Sequence, residues 1–193
     1  MPTPDEVPTI TDVRVVAVIT HPVRRRLLAI MRLDGPATVG VLAQRTGQAV
    51  GSISHHLKVL AGAGLIEEVP ELAKDRREHW WRRSTPSIRW DMGDLSDEDP
   101  AVEVLTSSVL TMNVEYQLSQ LRAWDAVRSE EHSRWPTGPF SIDSWMRLTD
   151  DELAELREEL VALMTKWERR EVPDDGQDRR PVFVFAHGVP GEP

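Results

Sequence analysis

Cysteine is absent from this 193-residue chain, which excludes disulfides and thiolate metal sites. A reducing, cytoplasmic setting is the expectation. No apolar run approaches the roughly 18 residues that a bilayer-spanning helix needs. The opening MPTPDEVPTI has neither a basic region nor an apolar core, so no secretory signal is expected. The chain also lacks a Walker-type loop, a G-x-S-x-G elbow and an H-E-x-x-H pair. Without such a constellation it has no candidate catalytic residue and is read as a non-enzyme without a cofactor.

Positive charge is scarce overall, with a net −9, but it is unevenly placed. Residues 1–90 hold 13 Lys/Arg against 9 Asp/Glu, whereas residues 91–193 hold 10 against 23. The window 21–90 is the most basic, at 12 against 6. Phosphate binding depends on local cations that displace counterions, so the basic window matters more than the total. Two regions with two functions are expected.

What is present in the basic window is a succession of short amphipathic segments. Ile10–Thr20 carries Val13, Val16, Ala17 and Ile19 at helical spacing, with Thr11 or Asp12 at its start. HPVRRRLLAIMRLDGP reads as a second helix. Pro22 suits its first turn, Val23, Leu27, Ile30 and Met31 form its stripe, and Asp34-Gly35-Pro36 ends it. Arg24, Arg25 and Arg26 oppose its dipole and cannot all face one way. One is expected to reach phosphate and the others to pair with acids. Thr38 caps a short helix to about Thr46, and Gly47 supplies a left-handed turn.

The helix expected from about Val50, ended by Gly62 and Gly64, is the most informative segment. Ile53, Leu57 and Leu60 share one stripe, and Gly51, His55 and Lys58 the opposite one, flanked by Ser52 and Ser54. A small, polar, cationic outer face just after a Gly turn suits a helix that enters a DNA groove. Leu65–Val69 and His79–Arg83 are expected to pair as a hairpin whose tip carries Lys74, Arg76 and Arg77. Trp80 and Trp81 alternate across that strand, one toward the core and one half-exposed.

SISHHLKVLAGAGLIEE and HPVRRRLLAIM resemble the recognition and second helices of the ArsR-like winged helix-turn-helix transcriptional regulators. The likeness spans His21–Arg83, about a third of the chain. It implies a homodimer that binds an operator and represses until an effector releases it. Three departures accompany it. The helix before the recognition helix, TVGVLAQRTG, lacks the metal sensors' cysteines. Ala49 and Val50 replace a Ser cap and Gln, and the acidic extension is longer than compact sensors need. A helical-tailed, non-metal-sensing type is expected.

Single residues divide accordingly. The candidate DNA contacts are Ser52, Ser54, His55 and Lys58 on the helix and Arg76 and Arg77 on the wing. Ser52 has the alternative of satisfying a first-turn N–H. Adjacent His55 and His56 point about 100° apart and make a poor chelate, and His56 is expected to be structural. Glu130-Glu131-His132 has ligand types without a second half, so no metal site is assigned.

The fold expected is mainly α: a three-helix core plus β-hairpin wing, with a C-terminal helical extension used for dimerisation. Residues 1–9 form a loose tail, 10–90 the DNA-binding domain, 91–100 an acidic linker and 101–193 the dimerisation and effector domain. In the last, Ala101 to about Arg128 is one helix. It carries Val102, Leu105, Val109, Met112 and Tyr116, and a second apolar set at Leu110, Val114, Leu121 and Trp124. Trp135, Phe140 and Trp145 anchor a connector. Thr149–Glu152 is a capping box opening a helix with Leu153, Leu156, Leu160, Leu163, Met164 and Trp167 in register. VFVFA at 182–186 is read as a short strand. Tyr116, Phe140 and the tryptophans at 124, 135, 145 and 167 either line a pocket for a small organic effector or fill the core and dimer seam. The function expected is a sequence-specific regulator on a pseudo-palindromic operator. A protein-interaction adaptor that has lost DNA binding is the alternative.

Overall fold

The computed structural model describes residues 10–75, 78–84 and 99–192. The chain divides into two compact units, residues 1–116 and 117–193.

In the first unit, Asp12 caps α1 (Val13–Thr20) by accepting the Arg14 N–H at 2.8 Å. His21 caps α2 (Pro22–Asp34), its Nδ1 accepting the Val23 N–H at 3.2 Å, and Pro22 sits in the first turn as expected. β1 (Ala37–Thr38) follows directly. Thr38 caps α3 (Val39–Thr46), and Gly47 closes it in the left-handed region at φ 68°. α4 (Val50–Gly62) leads through Gly64 (φ 69°) into β2 (Ile66–Glu68), and β3 (Trp80–Arg83) returns beside it.

The sheet order is β1-β3-β2, all antiparallel, with Thr38 opposite Trp80 and Glu67 opposite Arg82. The hairpin was expected; β1 was not, because two residues carry no periodicity. Its pairing makes β3 the central strand. Trp80 and Trp81 are both half-buried rather than divided between core and surface, and Trp81 packs on the core.

That core draws on every helix from α1 to α4. Ile19, Leu27, Leu28, Ile30, Met31, Leu42, Ala43, Ile53, Leu57 and Leu60 meet Ala37, Leu65 and Ile66. A smaller cluster joins Val13, Val16 and Val109, with Val102 and Leu105 against it. The beginning of α5 (Pro100–Glu131) therefore belongs to the first unit. The division falls inside α5, between Tyr116 and Gln117, rather than in the acidic stretch 91–100, because Val102, Leu105 and Val109 pack on α1.

The three successive arginines of α2 go to three different elements. Arg24 Nε donates to the Val18 carbonyl at 2.6 Å, in the last turn of α1. Arg26 donates to the Arg45 and Thr46 carbonyls at 2.8 and 3.2 Å, at the end of α3. Arg25 donates to Asn113 Oδ1 and lies 4.1 Å over the Tyr116 ring, both on α5. None of these acceptors is an acid, which corrects the expected pairing with acids. Cations misplaced at their own helix N-terminus sit at the carbonyl ends of two neighbouring helices, where charge and dipole agree.

In the second unit, α5 runs on to Glu131, and α6 (Asp150–Arg169) begins at the expected capping box. Thr149 Oγ1 accepts the Glu152 N–H at 3.2 Å, and the Glu152 carboxylate accepts the Thr149 N–H at 2.7 Å. The Thr149 N–H and then the Thr149 hydroxyl, both donated to the carboxylate, hold the Glu152 carboxyl below its ordinary pKa. None of the residues of α6 is buried.

VFVFA does not form a strand: the described residues of this unit contain none for it to pair with. Its segment instead follows α5. Arg180 lies 3.8 Å from Glu131, and His187 Nε2 lies 2.6 Å from Gln117 Oε1. Seven extended residues cover about 23 Å and fourteen helical residues about 21 Å, so the tail runs antiparallel along α5. Phe183, Phe185 and His187 succeed one another at alternate positions, with ring centres 5.8 and 6.1 Å apart.

Candidate nucleic-acid interface

The interface is built on α4. Ile53 and Leu60 have no exposed surface and Leu57 1%, so three anchors at i, i+4 and i+7 fix which face of the helix turns outward. Gly51, His55 and Lys58 are exposed on that face, and Ser52 and Ser54 flank it half-buried. The structure thus brings four of the six expected contact residues onto one helix face. Arg76 and Arg77 lie outside the described residues.

These side chains differ in what they can still bond. Ser54 Oγ donates to the Val50 carbonyl at 2.9 Å. Its proton is committed, which leaves lone pairs able to accept from a base amino group rather than a donor for phosphate. Lys58 is exposed and has no ion-pair partner among the described residues.

His56 faces the other way. Its ring centre lies 4.7 Å from that of His21 and 5.7 Å from that of His55. Its Nδ1 is shielded from solvent without a hydrogen-bond partner among the described residues. Burial lowers its pKa, and electrostatic repulsion from His21, Arg24 and His55 lowers it further. His21 is lowered too, by burial and then by Arg24. His56 therefore packs between α4 and the start of α2.

On the wing, Arg82 Nε pairs with Glu67 at 2.7 Å and His79 with Glu68. The two acids on the tip serve its backbone. Glu78 accepts the Lys74 N–H at 2.8 Å, and Asp75 accepts the Glu78 N–H at 3.1 Å. Lys74 is exposed beside them and, among the described residues, has no ion-pair partner. At the turn, Arg45 is held by Asp34 at 2.6 Å.

Two features of the surface escaped the sequence reading. Val50, at the first turn of α4, is 57% exposed, an apolar side chain with no core to fill. Gln48 is exposed beside it. Ala49 caps the helix without a side-chain hydrogen bond, so the first-turn N–H groups of α4 remain open toward an acceptor. The signal was the Ala49-Val50 pair itself, which had been noted only as a departure.

A short amphipathic helix, a left-handed Gly, a second helix with a solvent-facing polar stripe, and a hairpin beyond it complete the arrangement. Residues 19–69 match the family model for a helix-turn-helix domain. The chain carries a helix-turn-helix domain. The match runs from the last turn of α1 to the end of β2, and the returning strand of the wing lies beyond it. No curated protein matches the chain.

Elsewhere, the described residues contain no group of three or more His, Cys, Asp or Glu able to hold a metal. No described helix is long and apolar enough to cross a membrane. Phe140, Trp145 and Trp167 stand mostly exposed, and Tyr116 is engaged by Arg25. That exposure favours a contact surface over an enclosed effector site.

Proposed function

We propose that the chain is a sequence-specific DNA-binding transcriptional regulator of the ArsR-like winged-helix class. It acts in the cytoplasm as a homodimeric repressor, without metal and without catalysis. The observation that carries this reading is the division of α4 into a fully buried apolar stripe and an exposed face of Gly51, His55 and Lys58. In the proposed complex α4 enters the major groove. Lys58 neutralises phosphate, His55 and the back-bonded Ser54 meet base edges, and Ser52 positions the first turn. Arg76 and Arg77, with Lys74, bring the wing to the adjacent backbone. Two copies present their α4 helices about 34–36 Å apart on a pseudo-palindrome.

The test is a titration of labelled DNA from the region upstream of the gene, at several salt concentrations. Binding is expected to weaken linearly in log–log form, by about 0.9 per phosphate contact, and to discriminate among sequences. Weak binding with neither salt slope nor preference overturns the reading and leaves the adaptor alternative. Gel filtration with and without DNA then separates the two.

A further inference from the structure

We propose that α6 pairs antiparallel with α6 of a second copy of this chain, through Leu156, Leu160, Leu163 and Trp167. This rests on the homodimer reading above and assigns it a surface. The four residues fall at spacings of four, three and four, the alternation of a coiled-coil seam. Within its own chain the helix buries nothing completely. The tail reaches its beginning, where a Cβ at Gly188 would lie 3.1 Å from Leu153 Cδ1. Beyond it the seam opens, with exposure of 38% at Leu160, 52% at Leu163 and 60% at Trp167.

Charge selects the occupant. Residues 150–159 carry six acids and one base, whereas residues 160–170 carry three bases and one acid. A parallel twin sets like charge against like. A reversed twin sets the acidic half of each copy against the basic half of the other, and one two-fold operation satisfies both ends. The helix is thus complementary to its own reverse. In that pairing Leu160 of each copy meets Leu163 of the other, and Leu156 meets Trp167. Glu159 then stands opposite Lys166, and neither has an ion-pair partner among the described residues of its own chain.

The experiment uses the full chain and its natural lack of cysteine. Sedimentation is expected to give a dimer for the wild type. Leu160→Glu combined with Leu163→Glu is expected to raise its dissociation constant on the order of 100-fold while the circular dichroism spectrum holds. Glu159→Lys alone weakens the dimer, and adding Lys166→Glu restores it. Glu159→Cys mixed with Lys166→Cys is expected to cross-link through a short bis-maleimide, more strongly than either variant alone. The cross-link uses two polar surface positions, so it stands even if the glutamate variant misfolds. Wild-type affinity in a folded glutamate variant, or cross-linking dominated by Glu159→Cys with itself, overturns the seam and leaves the dimer intact. A monomeric wild type overturns the homodimer reading itself, and the seam with it.

Discussion

The two units spend apolar residues in opposite ways. In the first, α1 to α4 bury a continuous cluster, and even Arg24 and Arg25 of α2 turn to a carbonyl, an amide and an aromatic ring. In the second, α6 is amphipathic in sequence, yet none of its residues is buried. Amphipathicity states that a face wants cover, not what covers it. The first unit answers from its own chain, and the second leaves the question open at Leu160, Leu163 and Trp167.

The largest expected effect sharpens that contrast directly. Leu57→Ala, in a site 1% exposed, is expected to lower stability by about 2–5 kcal/mol in chemical denaturation. Leu163→Ala, measured on dissociated protein, is expected to stay within about 0.5 kcal/mol. Comparable losses at both positions would break the comparison. Next is Gly47→Ala, which forces a Cβ into the left-handed region at φ 68° and is expected to cost about 1–2 kcal/mol. An unchanged melting temperature would mean that the turn between α3 and α4 relaxes.

A smaller effect concerns pH. The folded-state pKa values of His21 and His56 lie below the ordinary 6.5, chiefly through burial. As pH falls through 6.5 the unfolded chain therefore takes up protons first. Stability from this pair is complete above that value and declines below it. Melting followed from pH 7.5 to 5.5 is expected to fall, and His56→Gln to flatten the decline; an unaltered slope would remove His56 from the account. On DNA, Lys58→Ala is expected to reduce the salt slope by about 1 per subunit without changing sequence preference. Least of all, Arg82→Ala on the solvent-exposed wing pair with Glu67 is expected to leave the melting temperature unmoved.

Where local rules decide, the sequence was a sufficient guide. Thr38, Gly47 and the stripe Ile53, Leu57 and Leu60 locate α3, the turn and α4, and Thr149 with Glu152 locates the start of α6. Features that depend on a distant partner were not legible. β1 exists because Trp80 and Trp81 present a strand edge to it. VFVFA has strand composition, but its neighbour is α5. The unit boundary hides inside a helix without Gly or Pro beyond its first residue, since only contact with Val13 and Val16 assigns Val109 to the first unit. On the interface, the face of α4 was readable from spacing, whereas the commitment of the Ser54 proton required coordinates.

The arginine run at 24–26 has a mechanical consequence. Neighbouring positions on a helix differ by about 100° in direction, so three consecutive guanidinium groups radiate like spokes from one turn. Each spoke is tied to a different rim: α1, α5 and α3. The angles between four helices are thereby pinned at a single hub. Exchanging one spoke loosens one rim, but inserting or deleting a residue there would swing every later spoke onto the wrong neighbour. The run is tolerant of substitution in a way that it cannot be of length.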